Sequence, residues 1–350
     1  MSSPSRPDLS EPPVPTTSQR SRWWWPVVGG TAYGIGVRLV FSGKPADAYA
    51  TMLASFTLLV PIIVGATTVL LAERSARRSW RYYFLSAAGA NVLFVLGTMI
   101  ILIEGQICVL LAAPLFAGLG GLGGLLTGAL CRWSNWPRRS IYGIAVLPLV
   151  LGAFEQRVPL PSAISTAESV RLIAAPRERV WAQLLTADRI HPDEIGQAWM
   201  YRIGVPLPLS AMAEQRGNEL VRHIVMGKNI HFDQVSSDWE TGRRIVWNYR
   251  FTEDSFPPHA LDDHVRIGGE YFDVLDTEYA VSDAPGGTYL RVRMRYRVST
   301  NFNWYAGSIA AFLVRNFEEA ALRFYSRRAE AGPPAPSSTE VPLSGEHPFA

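Results

Sequence analysis

Four histidines and four carboxylates crowd one part of the chain: His223, His231, His259 and His264 stand among Asp233, Asp262, Asp263 and Glu270. Imidazole and carboxylate together are a ligand set for a divalent metal and a means of moving protons at neutral pH. A metal site needs an ordered spacing as well. No H-E-x-x-H, no paired cysteines and no tight repeat organises these residues, so no metal and no cofactor is assigned. His231 and Asp233 lie two apart and share one face of a strand, the placement of a base and the group that orients it, or of a satisfied polar patch. Asp262-Asp263-His264 follows Pro257-Pro258, in a loop where a gate or a catalytic group could stand at a cavity mouth. The acid–base candidates are therefore His231, Asp233, Asp263 and His264. A Gly-x-Ser-x-Gly elbow and a phosphate loop are both missing.

Strands and helices must position these groups. Val170 to Ala174 reads as a strand, and Pro176 opens a helix that continues through Val180 and Trp181 to Leu185. Further strands are predicted over Leu220 to Met226, Ile230 to Trp239, Arg243 to Phe251, Gly269 to Ser282 and Thr288 to Thr300, separated by turns such as Ala284-Pro285-Gly286-Gly287. In Tyr289 to Ser299, Arg291, Arg293, Arg295 and Arg297 take one face and Leu290, Val292, Met294, Tyr296 and Val298 the other. A hairpin at Ala284 to Gly287 sets Glu278 opposite Arg293 and Asp276 opposite Arg295, and a slip of one residue undoes both pairs. The arginine face is a solvated surface or a contact for anionic headgroups. A helix from Trp304 to Arg328, capped by Asn303, carries the stripe Ile309, Phe312, Leu313, Phe317, Ala320 and Phe324 toward the sheet.

The first 155 residues read differently. Long uncharged runs predict about five helices in a membrane, over 24–42, 48–72, 81–103, 107–130 and 140–155. The last, Ile141 to Phe154, spans only ~21 to 24 Å, short of the ~30 Å hydrocarbon core. Whether it crosses decides the side on which the rest of the chain lies. Arg20 and Arg22, then Arg74, Arg77, Arg78 and Arg81, then Arg132, Arg138 and Arg139 mark alternate loops as internal. With five spans the N-terminus is cytoplasmic and the C-terminal half faces outward, in the periplasm of a bacterial inner membrane. Ala46-Asp47-Ala48 resembles a processing site, but the long polar stretch before the first apolar run argues against a signal peptide. Gly118 to Gly123 matches G-x-G-x-x-G without the strand or the acid a dinucleotide needs. The spacing of Gly120, Gly124 and Gly128 fits close helix packing instead. Arg38 and Glu104 fall near the outer ends of their spans as a candidate ion pair, and Asn91 as an interhelical hydrogen-bonder.

Across 350 residues, 33 basic and 30 acidic side chains leave a net charge of +3, too little to support nucleic-acid binding. The two cysteines, Cys108 and Cys131, would lie ~34 Å apart on one helix and cannot bridge. Ser-, Pro- and Thr-rich stretches at 1–22 and 330–350 read as disordered tails, and 156–168 as a linker.

A strand, short helices, an antiparallel meander and a long final helix give an α+β helix-grip arrangement after an all-α transmembrane bundle. Residues 169–329 resemble the SRPBCC superfamily, the START and pollen-allergen-like proteins. The resemblance is carried by Ile173 to Trp181, by the turn Gly286-Gly287-Thr288 and by the aromatic last helix. It implies an apolar cavity between sheet and helix for a lipid, sterol or polyketide, with Tyr296, Met294, Phe312, Trp247 and Phe272 as its lining. It supplies no universal catalytic motif. The expected partners are the bilayer and a hydrophobic small molecule or lipid; no protein partner is identified. The function implied is binding of that ligand at the membrane surface. The alternatives are a cyclase- or hydrolase-like enzyme acting on an apolar substrate and a protein-interaction or signalling module.

Overall fold

The computed structural model describes residues 24–43, 48–134, 142–155 and 157–332. The expected tail 1–22, the loop arginines Arg138 and Arg139 and all but the first residues of the tail 330–350 lie outside them. Two compact units form, the first running to Pro159 except for Gly105–Cys108, which fall with the second unit from Leu160 onward.

The first unit is helical: α1 (Trp25–Val40), a π-helical turn (Ser55–Leu59) leading into α2 (Val60–Glu73), α3 (Trp80–Ile100), α4 (Gln106–Trp133) and α5 (Tyr142–Glu155). Among the described residues three helices, Ser55–Glu73, Trp80–Ile100 and Gln106–Trp133, are long and apolar enough to cross a membrane. With 16 and 14 residues, α1 and α5 reach only ~24 and ~21 Å. The second run starts later than its hydropathy predicts, because Tyr49 takes a positive φ and the chain turns until Ser55. Glycines set the packing. A Cβ on Gly65 would strike the carbonyl of Gly120, and one on Gly124 or Gly128 would strike Ala87 or the Tyr83 ring. Asn91 is fully buried and donates from Nδ2 to the carbonyl of Pro61 on the neighbouring helix (3.2 Å). Arg38, only 6% exposed, pairs with Glu104 at 2.6 Å and donates to the Phe41 carbonyl.

The second unit is a nine-stranded antiparallel sheet with its long helix. In chain order the elements are β1 (Ser162–Ile173), α6 (Arg177–Leu185), β2 (Thr186–Ala187), α7 (Pro192–Ile195), α8 (Trp199–Arg202), β3 (Pro208–Arg216) and β4 (Glu219–Met226). There follow β5 (His231–Ser236), β6 (Trp239–Glu240), β7 (Arg244–Arg250), β8 (Phe272–Ala284), β9 (Gly287–Ser299) and α9 (Asn303–Glu330). The sheet order is β1-β9-β8-β7-β5-β4-β3-β2, with β6 on β7. Residues of β1, β4, β8 and β9 share one core with α9, so the curled sheet wraps the helix in the helix-grip manner.

The β8–β9 hairpin has the register its charges specify: Glu278 lies opposite Arg293 and Asp276 opposite Arg295. Its turn is closed by Gly286 at φ +84. A bulge between Val274 and Asp276 shifts the parity of β8, so that Val274 and Thr277 both enter the core. Three expectations need correction. The linker is short, because β1 begins at Ser162 and pairs residue for residue with β9. Asn303 does not cap α9; it is the first helical residue, and its Oδ1 accepts from the backbone N–H of Thr300 (2.8 Å). Phe312 points away from the sheet, because the buried line of α9 runs Ala310, Val314, Glu318, Ala321, Tyr325.

Candidate ligand-binding site

Four residues form one rung across the inner face of the sheet. Ala213 on β3 stands beside Arg222 on β4, Arg222 beside Gln234 on β5, and Gln234 beside Tyr249 on β7. Arg222 shares its parity with Leu220 and Ile224, so the pleat that turns their apolar side chains inward turns a guanidinium inward too. It is 4% exposed. Its Nη2 donates to the Tyr325 hydroxyl (3.0 Å) and its Nη1 to Gln234 Oε1 (3.4 Å), and the guanidinium lies 5.9 Å from the centre of the Trp247 ring. Its Nε has no hydrogen-bond partner among the described residues, and no carboxylate there pairs with it. An arginine keeps its charge under these conditions. A cation is therefore held inside the sheet by neutral groups alone.

Those neutral groups form a connected set. Tyr249 and Thr277 hydroxyls lie 2.8 Å apart, and the Tyr279 ring meets Tyr325 edge-on at 5.7 Å. Burial pushes the Tyr249, Tyr279 and Tyr201 phenols up, so all three stay protonated at neutral pH. Trp247 is fully buried and its indole N–H has no partner among the described residues. Its strand neighbours continue the wall: Thr277 stands beside Trp247, and Met294 beside Thr277.

Glu318 lies on the same face of α9, two turns before Tyr325. It is 0% exposed. Ser169 on β1 donates to Oε2 (2.9 Å), while Oε1 has no partner among the described residues. Burial raises the carboxyl to about 7, with the Ser169 hydrogen bond opposing the rise. At neutral pH this group can give a proton or take one.

The residues predicted from sequence are dispersed. His231 is on the outer face, with Nε2 3.4 Å from Asp254. Asp233 does not orient it; instead Asp233 pairs with His223 at 2.6 Å, and the other nitrogen of His223 lies 3.1 Å from Glu214. The reason is geometric, since His223 and Asp233 are direct cross-strand neighbours, closer than residues two apart on one strand. Asp263 lies 3.7 Å from Arg266 in an exposed loop, and the His264 ring stacks on Tyr271 at 5.7 Å. Of the expected lining, Trp247, Met294 and Tyr296 are buried in the core and Phe272 packs on Tyr296, whereas Phe312 is 53% exposed beside Trp199.

Arg222, Gln234, Tyr249, Thr277, Tyr325 and Glu318 were missed. For two of them the signal was present. Arg222 interrupts the apolar parity of its strand, and Glu318 falls in line with Val314, Ala321 and Tyr325 at helical spacing.

No protein-family model matches the chain, and neither does any curated protein. Solved structures resemble its second half. An uncharacterised protein from Rhizobium leguminosarum is 13% identical over 49% of this chain and 98% of its own, with a TM-score of 0.30. The Zhui aromatase/cyclase from Streptomyces sp. R1128 is 13% identical over 48% of this chain and 94% of its own, at 0.29. An AHSA1-like protein from Aeromonas hydrophila is 13% identical over 48% and 93%, at 0.27. The order of the sheet and the helix packed inside it establish the helix-grip fold.

Proposed function

We propose that the chain is a membrane-anchored helix-grip protein that binds a hydrophobic or lipid-like molecule between the sheet and α9. One observation carries this reading. Three polar atoms, Arg222 Nε, Trp247 Nε1 and Glu318 Oε1, are buried in a mostly apolar interior without a partner among the described residues. Each such atom costs about 1–3 kcal/mol when left unpaired, and native interiors hold few of them. A guest with an apolar body and a few oxygens would satisfy them. The apolar helices α2, α3 and α4 supply the anchor in this reading, and only residues 156–161 connect α5 to β1. The bound molecule would then be drawn from the lipid phase and returned to it.

The test is to purify the full chain from membranes, extract it and identify retained small molecules by mass spectrometry. A stoichiometric apolar molecule is the expected result; an extract no richer than that of a control membrane protein would refute it. Glu318 supports a second reading, an enzyme acting on an apolar substrate, because a carboxyl titrating near neutrality suits proton transfer. In that case Glu318→Gln keeps the bound molecule but abolishes its conversion.

A further inference from the structure

The unpaired guanidinium says more about the guest. We infer that the molecule bound inside the sheet is a monoanion whose carboxylate docks on Arg222, with its apolar body lying along the Trp247–Met294 wall. The inference rests on the reading above, that the interior takes a hydrophobic guest.

Three observations lead to it. Two arginines of the same unit have carboxylates even where water would serve: Arg295 has Asp276 at 2.6 Å on the outer face, and Arg328 has Glu194 at 2.7 Å. Arg222, more buried than either, has none among the described residues. A buried charge left without a counter-charge is strongly unfavourable, so the missing anion is the simplest complement. The second observation is the atom left free. Gln234 and Tyr325 occupy the two terminal nitrogens, and Nε remains. A carboxylate binds a guanidinium side-on through Nε and one terminal nitrogen, which matches this edge. The third is the balance of charge. The hydroxyls of Tyr249, Thr277 and Tyr325 and the Trp247 N–H are neutral, and Glu318 bonds Ser169 and not Arg222, so among the described residues one unpaired positive charge is left to face the guest. That suits a singly charged carboxylate and leaves a doubly charged phosphate half unmatched.

The experiment uses the full chain in phosphatidylcholine nanodiscs and two photoreactive probes, palmitic acid with a mid-chain diazirine and its methyl ester. After irradiation, labelled peptides are mapped by mass spectrometry. Peptides from β4, β5, β7 and β8 should carry the acid in excess over the ester by about ten- to a hundredfold. Arg222→Met should reduce acid labelling to the ester's level, while Arg222→Lys, which keeps the charge but loses the fork, should fall between. Circular dichroism melting of each variant guards against loss of fold. Equal labelling of these strands by acid and ester in the unaltered chain would overturn the carboxylate while leaving the hydrophobic guest standing. Labelling confined to α2, α3 and α4 with both probes would remove both.

Discussion

A single carboxyl shows how the interior is tuned. Glu318 would titrate near its ordinary 4.5 in an unfolded chain and is raised to about 7 when folded. The folded state therefore holds the extra proton between these two values, and stability falls as pH rises from 4.5 to 7, then levels off. The full shift corresponds to about 3 kcal/mol. Glu318→Gln keeps the shape and cannot ionise. It should melt at a higher temperature than the parent at pH 8 and at the same temperature at pH 4.5. Melting curves of the two chains across this range check the point; parallel pH profiles would show that the carboxyl is not held neutral by the fold. The same residue explains the limits of reading a sequence. A glutamate on a helix is ordinarily solvated, and only its alignment with Val314 and Tyr325 sets it apart. The histidines attracted notice by their chemistry, yet His223 and His231 stand on the outer face, where exposure makes their pairs weak.

Among the elements, β8 and β9 were the most legible, because their outer faces carry a charge code that fixes register. Glu278 sits within reach of three cations, Arg244 at 3.3 Å, Arg291 at 3.5 Å and Arg293 at 3.9 Å. Neutralising it leaves three like charges facing one another. Glu278→Gln should lower stability by about 1–2 kcal/mol in chemical denaturation at low salt, and the loss should shrink in molar salt as the arginines are screened. A loss independent of salt would mean that packing, not charge, holds this hairpin. Other strands gave little signal. The first half of β1, Ser162 to Glu168, lacks apolar alternation and is specified by its backbone ladder to β9 rather than by burial. β3 begins at a proline and exposes Leu209 and Met212, so its apolar residues do not mark an inner face. The helices α6 and α9 were legible to within a residue or two, from Pro176 and from the aromatic periodicity.

At the scale of the whole chain, the side on which the sheet lies depends on α5, whose 14 residues fall short of a bilayer by length alone. Packing within the helical unit gives a better guide than length. At one end Arg132, the last basic residue of α4, stacks on Trp80 (4.3 Å) and donates to the Arg78 carbonyl, next to the basic stretch that the positive-inside rule assigns to the cytoplasm. At the other end Glu155 accepts from the backbone N–H groups of Ala54 and Ser55, where the chain enters the helix that ends at Glu73. The chain thus passes from the Arg132 end of the bundle to the opposite end along α5. Tyr33 bonds the Ala145 carbonyl, and Gly152 packs on Phe41, so α5 runs parallel to α1. We therefore predict that α5 crosses despite its length, by local thinning, and that the sheet lies on the exported side. An alkaline phosphatase fused after Glu330 should be active and one fused at Ser134 inactive, with fluorescent-protein fusions giving the inverse pattern. Activity at Ser134 and silence after Glu330 would place the sheet in the cytoplasm and reduce α5 to an interfacial helix. Converting Glu155 to Gln should weaken the exported signal, since the capped end of the π-helical turn would lose the charge that holds α5 in place.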